Sequence, residues 1–464
     1  MSSRGDAVSL HCSANTYRFF LRTGSVLYER EQTGQWLRVA TIGPLFFGRP
    51  FAIPCPSPLP RPAFDVSCRS ESQNPGTGAG SGSGTESNRA TPYNRASMRD
   101  LIYLDNNATT RVADEVLAAM TPYYREHYGN AHSIHTLGRR AHDGIEHARE
   151  EVAALIGCDA SEVIFTSCGT EGNALVIRGL LDRTPQRRKI VTTAVEHPSV
   201  LTLLRAIREI ELVVVPVNGE GEIDLDAMRD AIDHNTLLVT VMLAQNETGV
   251  IHPVAQIAEL ARAHGALVHV DAVQAAGKIV VDQRALGADF VTISGHKFHA
   301  PKGVGALSIR RGLTLSPIWY GGGQELGLRS GTEPVPSIAG LGIAARLARE
   351  ALPHFSRVAA LRDRFERALD NVEINGATQP RLGNTSSVSF GSTDVTSIVL
   401  ALDEAGVCVS GGAACHSGKT EPTATMKAMG RPAAVRFSLS RYTSEEEVAR
   451  AIEIVGRVVA VGTH

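Results

Sequence analysis

The chain has 464 residues, 43% hydrophobic and 20% charged, with a net charge of −2. These are the values of a globular protein of two or three domains. The near-neutral balance gives no reason to expect nucleic acid or an anionic membrane as the main partner, and no apolar run approaches the roughly 18–20 residues that span a bilayer.

Residues 1–97 differ in character from the rest of the chain. Asn74 to Ser87 (NPGTGAGSGSGTES) is a flexible tract and Pro54 to Pro62 is proline-rich. This part holds ten arginines, no lysines and six acids. The expectation is a disordered or non-core extension, with Met98 as a natural start. An organelle transit peptide is the alternative, because such peptides are rich in Arg and Ser and poor in acids. The seven cysteines (12, 55, 68, 158, 168, 408 and 415) form neither a disulfide framework nor a zinc-type pair. That suits a reducing compartment, and a cytoplasmic location is expected.

From Ile102 short apolar runs alternate with amphipathic helical segments. The runs VIFTS (Val163 to Ser167), KIVTTAV (Lys189 to Val195), LLVTVML (Leu237 to Leu243), ALVHVDA (Ala266 to Ala272) and FVTIS (Phe290 to Ser294) read as strands. His142 to Gly157 reads as a helix, with apolar residues at helical spacing. Such alternation predicts an α/β fold with a mostly parallel, doubly covered sheet. A long helical stretch, Ile338 to Asp370, then leads to a smaller C-terminal α+β domain.

Ligands of parallel sheets bind beyond the carboxyl ends of the strands, and polar residues collect at those ends here. After VIFTS a tight turn holds Cys168 to Gly172, with Gly169 and Thr170, and a helix begins near Asn173; backbone N–H groups there, with the Thr170 hydroxyl, can hold an anion, and a plain capped turn is the bland reading. His197, Asn246, Asp271 and Gln274 come after the next strands, and Ser294, His296 and Lys297 after the last. Any one of them could simply cap a strand end. Together they match the needs of pyridoxal phosphate: a phosphate for Thr170, Ser294 and His296, a carboxylate (Asp271) for the pyridine nitrogen, and a desolvated amine at Lys297 for the aldehyde. Lys302 is the rival amine, but its Pro-Lys-Gly turn reads as exposed. His296 and His299 have metal-like spacing, yet no third ligand stands at a suitable distance, so no metal is expected. Near the C-terminus Cys415 sits in a Gly/Ala-rich loop, where a thiolate can be reactive; Cys408, in an apolar run, is the weaker candidate.

Many of these stretches, in this order, resemble the cysteine desulfurases of the class V aminotransferase superfamily. They are YLDNNATT (Tyr103 to Thr110), FTSCGTE, VEHPSV, NETG, HVDAVQ, SGHKFHAPKGVGAL, GGGQELGLRSGTE (Gly321 to Glu333) and VRFSLSRYT (Val435 to Thr443). The resemblance runs from about Leu101 to about Val458. It implies a homodimer of fold type I, with an N-terminal arm (98–115), a large cofactor domain (116–345) and a small domain carrying the cysteine loop (346–464). Lys297 matches the Schiff-base lysine, Asp271 the partner of the pyridine nitrogen, Gln274 the neighbour of the ring hydroxyl, and His197 the stacked, proton-transferring histidine. Gly169, Thr170, Ser294 and His296 match the phosphate cradle, and Thr332 the phosphate ligand reached from the other subunit. Asn246 and Arg436 match residues that orient the substrate. Cys415 matches the nucleophile that takes sulfur from L-cysteine, leaving L-alanine, and hands it to an acceptor such as an iron–sulfur scaffold. The form GAACHS (Gly412 to Ser417) is similar to selenocysteine lyases, which makes that activity the alternative.

Overall fold

A computed structural model describes residues 101–391, 394–411 and 421–462, together with the backbone of four strands nearer the N-terminus. The chain divides into two units, Met1–Arg89 and Ala90–His464. In the first, β1 (His11–Ser13), β2 (Thr16–Thr23), β3 (Val26–Arg30) and β4 (Trp36–Thr41) form an antiparallel sheet in sequence order. The glycine- and proline-rich tracts expected to be flexible lie outside the described residues, as do Met98 and Cys415.

In the second unit a short strand, β5 (Ile102–Tyr103), precedes two helices, α1 (Asp114–Arg125) and α2 (Thr136–Ile156). The α/β alternation comes next: β6 (Val163–Thr166), α3 (Gly169–Arg183), β7 (Lys189–Thr193), α4 (Pro198–Ala206), β8 (Glu211–Val215), α5 (Leu225–Ala231), β9 (Thr236–Met242), α6 (Val254–Ala263), β10 (Leu267–Asp271), β11 (Phe290–Ser294) and β12 (Gly305–Ile309). These seven strands form one sheet in the order β6-β12-β11-β10-β9-β7-β8. Only β12 runs antiparallel to its neighbours. The mostly parallel α/β architecture expected from the sequence is therefore present.

Side-chain alternation explains why both faces are covered. On β9, Val239 and Val241 enter one core with α1, α2, α6 and α7 (Val335–Ala351), while Leu238 enters a second core with α3 and α4. On β11, Val291 and Ile293 face the first core and Phe290 the second. Successive strand residues point to opposite faces. An uninterrupted apolar run is thus the mark of a strand buried on both sides.

The remaining elements are α8 (Phe355–Arg367), β13 (Glu373–Ile374), β14 (Thr385–Ser389), α9 (Val395–Glu404), β15 (Val407–Cys408), α10 (Ala424–Ala428), β16 (Val435–Ser438) and α11 (Glu445–Gly462). The stretch expected as one long helix is two: α7 ends, a single 3-10 turn spans Leu352–His354, and α8 begins. Pro353 sits in that turn and cannot supply the N–H that a continuous helix needs. Strands β13, β14 and β16 form a sheet with its own core, centred on Phe365, Val388 and Phe437. β5 pairs in parallel with β15, so the arm preceding the large sheet is tied to this C-terminal core. Among the described residues, no helix is long and apolar enough to cross a membrane.

Candidate active site

The carboxyl ends of β6, β7, β9, β10 and β11 open on one cavity of about 480 Å³, within the ordinary range for a small-molecule site. Ten residues singled out from the sequence line it: Gly169, Thr170, His197, Asn246, Asp271, Gln274, Ser294, His296, Lys297 and Arg436. The other two stand differently. Cys415 lies outside the described residues, and Thr332 is an exposed residue away from the cavity lining of this chain. Lys302 is exposed, as its turn suggested.

Each side chain is aimed by a local feature. β6 ends at Thr166, and Ser167 and Cys168 turn the chain into α3, whose first residues are Gly169 and Thr170. Glu171 ties the turn down by accepting from the Ser167 amide at 2.7 Å. A Cβ at Gly169 would lie 2.7 Å from Val273 Cγ2, so only glycine lets the helix start come this close to the end of β10. Asp271 closes β10 at 4% exposure. Its Oδ1 accepts from the Val273 amide at 3.0 Å and its Oδ2 from Asn173 Nδ2 at 2.8 Å. His197 caps α4 through its ring, with Nδ1 accepting from the Ser199 amide at 3.1 Å. Burial, opposed by Asp271 and aided by Lys297, lowers its pKa.

Lys297 lies just past β11 in a single 3-10 turn, Gly295–Lys297. Its Nζ donates to the backbone carbonyls of Asn107 and Ala108 at 2.7 and 2.8 Å. Burial first, and the Arg436 guanidinium second, lower its pKa to about 8, against the pull of Asp271 and Asp105. His296 is pushed down to about 4 by burial and then by Lys297, so its ring is neutral. Arg436, on β16, donates to Asp105 Oδ1 at 2.7 Å and to the Asn246 carbonyl at 3.1 Å.

Three groups that the sequence did not mark brace the residues of this cavity. Asn107 is a hub: its carbonyl accepts from Lys297 and, at 2.9 Å, from Gln274 Nε2. Its Oδ1 accepts from Lys278 at 2.9 Å and Asn384 at 3.0 Å, and its Nδ2 donates to Thr385 Oγ1 at 2.9 Å. Lys278 is a second buried amine, 6% exposed, that also donates to Gln274 Oε1 at 2.7 Å. Burial, then Lys297, then Arg436 hold its pKa well below the usual lysine range. The signal for Lys278 was its spacing four residues after Gln274 in a chain of few lysines. Asn107 lay within the motif YLDNNATT but had no pattern of its own. Asn173, third of this group, is fully buried between Asp271 and Ser199.

Pyridoxal phosphate fits these residues. Ser294 Oγ and Arg436 Nε are buried polar atoms without a protein partner, and such groups normally have one. The phosphate end would find the α3 start, Ser294 and neutral His296. The pyridine nitrogen would find Asp271, and the aldehyde a lysine whose amine is part neutral near pH 8.

Comparison with known proteins agrees. The family model "Aminotransferase class-V" matches residues 102–451. A cysteine desulfurase of Trichormus azollae is 46% identical over 374 residues, covering 77% of this chain and 93% of that protein. One from Cereibacter sphaeroides is 45% identical over 371 residues, covering 77% and 95%. Among solved structures, a "NifS-like protein" aligns at TM-score 0.73 and 36% identity, over 78% of this chain and 100% of its own. The apo cysteine desulfurase of Thermococcus onnurineus NA1 aligns at TM-score 0.70 and 29% identity, over 79% and 95%. The chain therefore belongs to the class-V aminotransferases, a pyridoxal-phosphate family, and within them to the cysteine desulfurases.

Proposed function

We propose that the protein is a pyridoxal-phosphate-dependent cysteine desulfurase that converts L-cysteine to L-alanine and takes up the sulfur on Cys415. The observation that carries this reading is a partly neutral amine, Lys297, in one cavity with Asp271, His197 and Arg436. When bound there, the cofactor supplies an electron sink that acidifies the α-carbon and labilises the bond to sulfur.

The protein's own groups do the rest. Arg436 holds the substrate carboxylate; its buried, unpartnered Nε and its nearness to Asn246 support that assignment. Lys297 takes the α-proton at Nζ and later returns a proton to the carbon skeleton. His197 attends the substrate at the cavity wall. The Cys415 thiolate accepts the sulfur: the carbon–sulfur bond breaks, a sulfur–sulfur bond forms, and alanine leaves with a hydrogen where the thiol was. The persulfide then passes to an acceptor protein, an iron–sulfur scaffold being the expected kind. Gly169, Thr170, Ser294 and His296 hold the phosphate, and Gln274 the ring hydroxyl. Thr332, exposed in this chain, completes the cradle of a second subunit, so the working enzyme is a homodimer acting in the cytoplasm.

The test is direct. Cys415→Ala should release no sulfide from L-cysteine while keeping the cofactor's visible absorbance, and Lys297→Ala should lose that absorbance. Full sulfide release by Cys415→Ala refutes the assignment. Selenocysteine lyase is the lesser reading, because the relatives found are cysteine desulfurases; negligible turnover of cysteine beside rapid turnover of selenocysteine would reverse the order.

A further inference from the structure

We propose that Asn173 and Ser199 are positioning residues that lock His197 with its ring proton on Nε2, so that it meets the cavity as a hydrogen-bond donor and not as a base. The inference rests on reading this cavity as the reaction site.

The argument is one of donors and acceptors. The Ser199 amide, which can only donate, points at His197 Nδ1 at 3.1 Å. Nδ1 must therefore present a lone pair. Ser199 Oγ lies 2.8 Å from the same Nδ1 and itself accepts from Asn173 Nδ2 at 3.0 Å. Asn173 occupies one of the hydroxyl's two lone pairs, and with Nδ1 presenting its own lone pair to the Ser199 amide, the hydroxyl proton has Nδ1 as its acceptor. Asn173 Nδ2 uses its other N–H on Asp271 Oδ2 at 2.8 Å. Both amide protons are committed, and a flipped amide would set its oxygen against the carboxylate, so the orientation of Asn173 is fixed.

The result is a directional chain from β10 through α3 to α4, in which a buried carboxylate sets the tautomer of an imidazole. Asn173 is 0% and Asp271 4% exposed, so water does not compete for the bond between them, whereas the two His197–Ser199 bonds lie on the open side of the cavity. A neutral ring with Nδ1 as acceptor carries its proton on Nε2. A second proton could go only onto Nδ1, where it would face the Ser199 amide, which can only donate. Burial lowers the His197 pKa in the same direction as this geometry, with Asp271 opposing and Lys297 assisting. Proton removal then falls to Lys297, whose amine lines the same cavity.

The experiment uses the full chain, cofactor-free and labelled with ¹⁵N-histidine, at pH 7.5. Long-range ¹H–¹⁵N correlation reports the tautomer of each ring, and the signals lost in His197→Gln identify the ring at 197. The expected pattern is an unprotonated Nδ1 and a protonated Nε2. A ring protonated on Nδ1, or doubly protonated, overturns the proposal. In Ser199→Ala the backbone amide still donates to Nδ1 but the hydroxyl donor is lost, so the Nε2-protonated share should drop and the Nδ1-protonated form become detectable. With cofactor restored, kcat should fall on the order of tenfold, a part of what a placed acid–base group supplies, and KM should change little. Ser199→Thr should recover both. Unchanged tautomer and kcat in Ser199→Ala also overturn it. The spectroscopic readout needs no turnover, so a chain inert toward L-cysteine would refute the desulfurase assignment while leaving the tautomer decided.

Discussion

Replacing Lys278 by methionine asks whether a buried amine is carried neutral in the folded protein. Methionine keeps much of the length and apolar bulk, so packing changes little. What is lost is two hydrogen bonds. Asn107 Oδ1 keeps Asn384 as a donor, but Gln274 Oε1 loses the amine at 2.7 Å. An orphaned buried acceptor costs about 1–3 kcal/mol. Against this stands the proton. The Lys278 pKa lies well below the usual range, chiefly through burial. Between that lowered value and about 10.4, the unfolded chain binds a proton that the folded chain does not, so wild-type stability rises with pH by about 1.4 kcal/mol per unit. Methionine has no such term. At pH 10 the variant should be about 1–3 kcal/mol less stable than wild type. At pH 8.5 that gap should have shrunk by about 2 kcal/mol, from the same slope. Urea midpoints of wild type and variant, each measured at both pH values, give the comparison. A gap that does not change with pH would mean that Lys278 keeps its proton in the fold, and the reasoning would fail.

Two further outcomes rest on the same physics. The rate at which the cofactor-free chain takes up pyridoxal phosphate, read from the absorbance of bound cofactor, should rise with pH through about 8, where Lys297 loses its proton. In Arg436→Met, which removes the cation that helps depress this pKa, the midpoint should move upward; a wild-type midpoint near that of free lysine would refute the account. Far from the cavity mouth, Glu325 accepts from both terminal nitrogens of Arg149 at 2.9 Å and from the Phe165 amide at 2.7 Å, with its side chain 3% exposed. Glu325→Ala takes the bidentate partner from a largely buried guanidinium, leaving Arg149 with Glu146 and the Val163 carbonyl, and orphans the Phe165 amide; it should cost about 2–3 kcal/mol in chemical unfolding. A loss below about 1 kcal/mol, the range of an exposed pair, would show that the pair is not a structural clamp.

Strands β6, β7, β9, β10 and β11 were legible because a strand covered on both faces must be apolar throughout, and each such run stood out between helical patterns. β8 and β12 did not stand out, for different reasons. β8 is the sheet's edge, and four of its five residues are partly exposed, so Glu211–Val215 lacks both a clear alternation and a clean flanking signal. β12 is Gly305–Ile309, where glycine and serine dilute the run and the lysine motif lies directly before it. Its direction, antiparallel to β11 and β6, comes from the short connection after Lys297, too brief to carry a helical crossover. The helix break at Pro353 was readable from the proline alone, yet the apolar periodicity on either side hid it.

The site divides along a similar line. Residues directly after a buried run can be found, because register fixes where each strand stops: Asp271 pairs across to Thr292, which places it and Ser294 at adjoining ends of β10 and β11. Asn107 cannot be found that way. Its partners Asn246, Lys278, Thr385 and Ser438 stand 139, 171, 278 and 331 residues away, and no local rule couples an amide to amines and hydroxyls so distant. Asn173 is hidden for the opposite reason, since a polar residue near the start of a helix reads as ordinary capping. Both are amides, which have donors and an acceptor but no charge. In a cavity lined by Lys297, Arg436 and Asp271, with Lys278 and Asp105 close behind, a further charge would shift the pKa values on which the proton transfers depend. A neutral amide can fix the direction of hydrogen bonds without that disturbance. What sequence shows is therefore the groups that follow a buried strand, Asn246 and Gln274 among them, whereas Asn107, Asn173 and Lys278, which brace those groups from elsewhere in the chain, become visible only when the chain is folded.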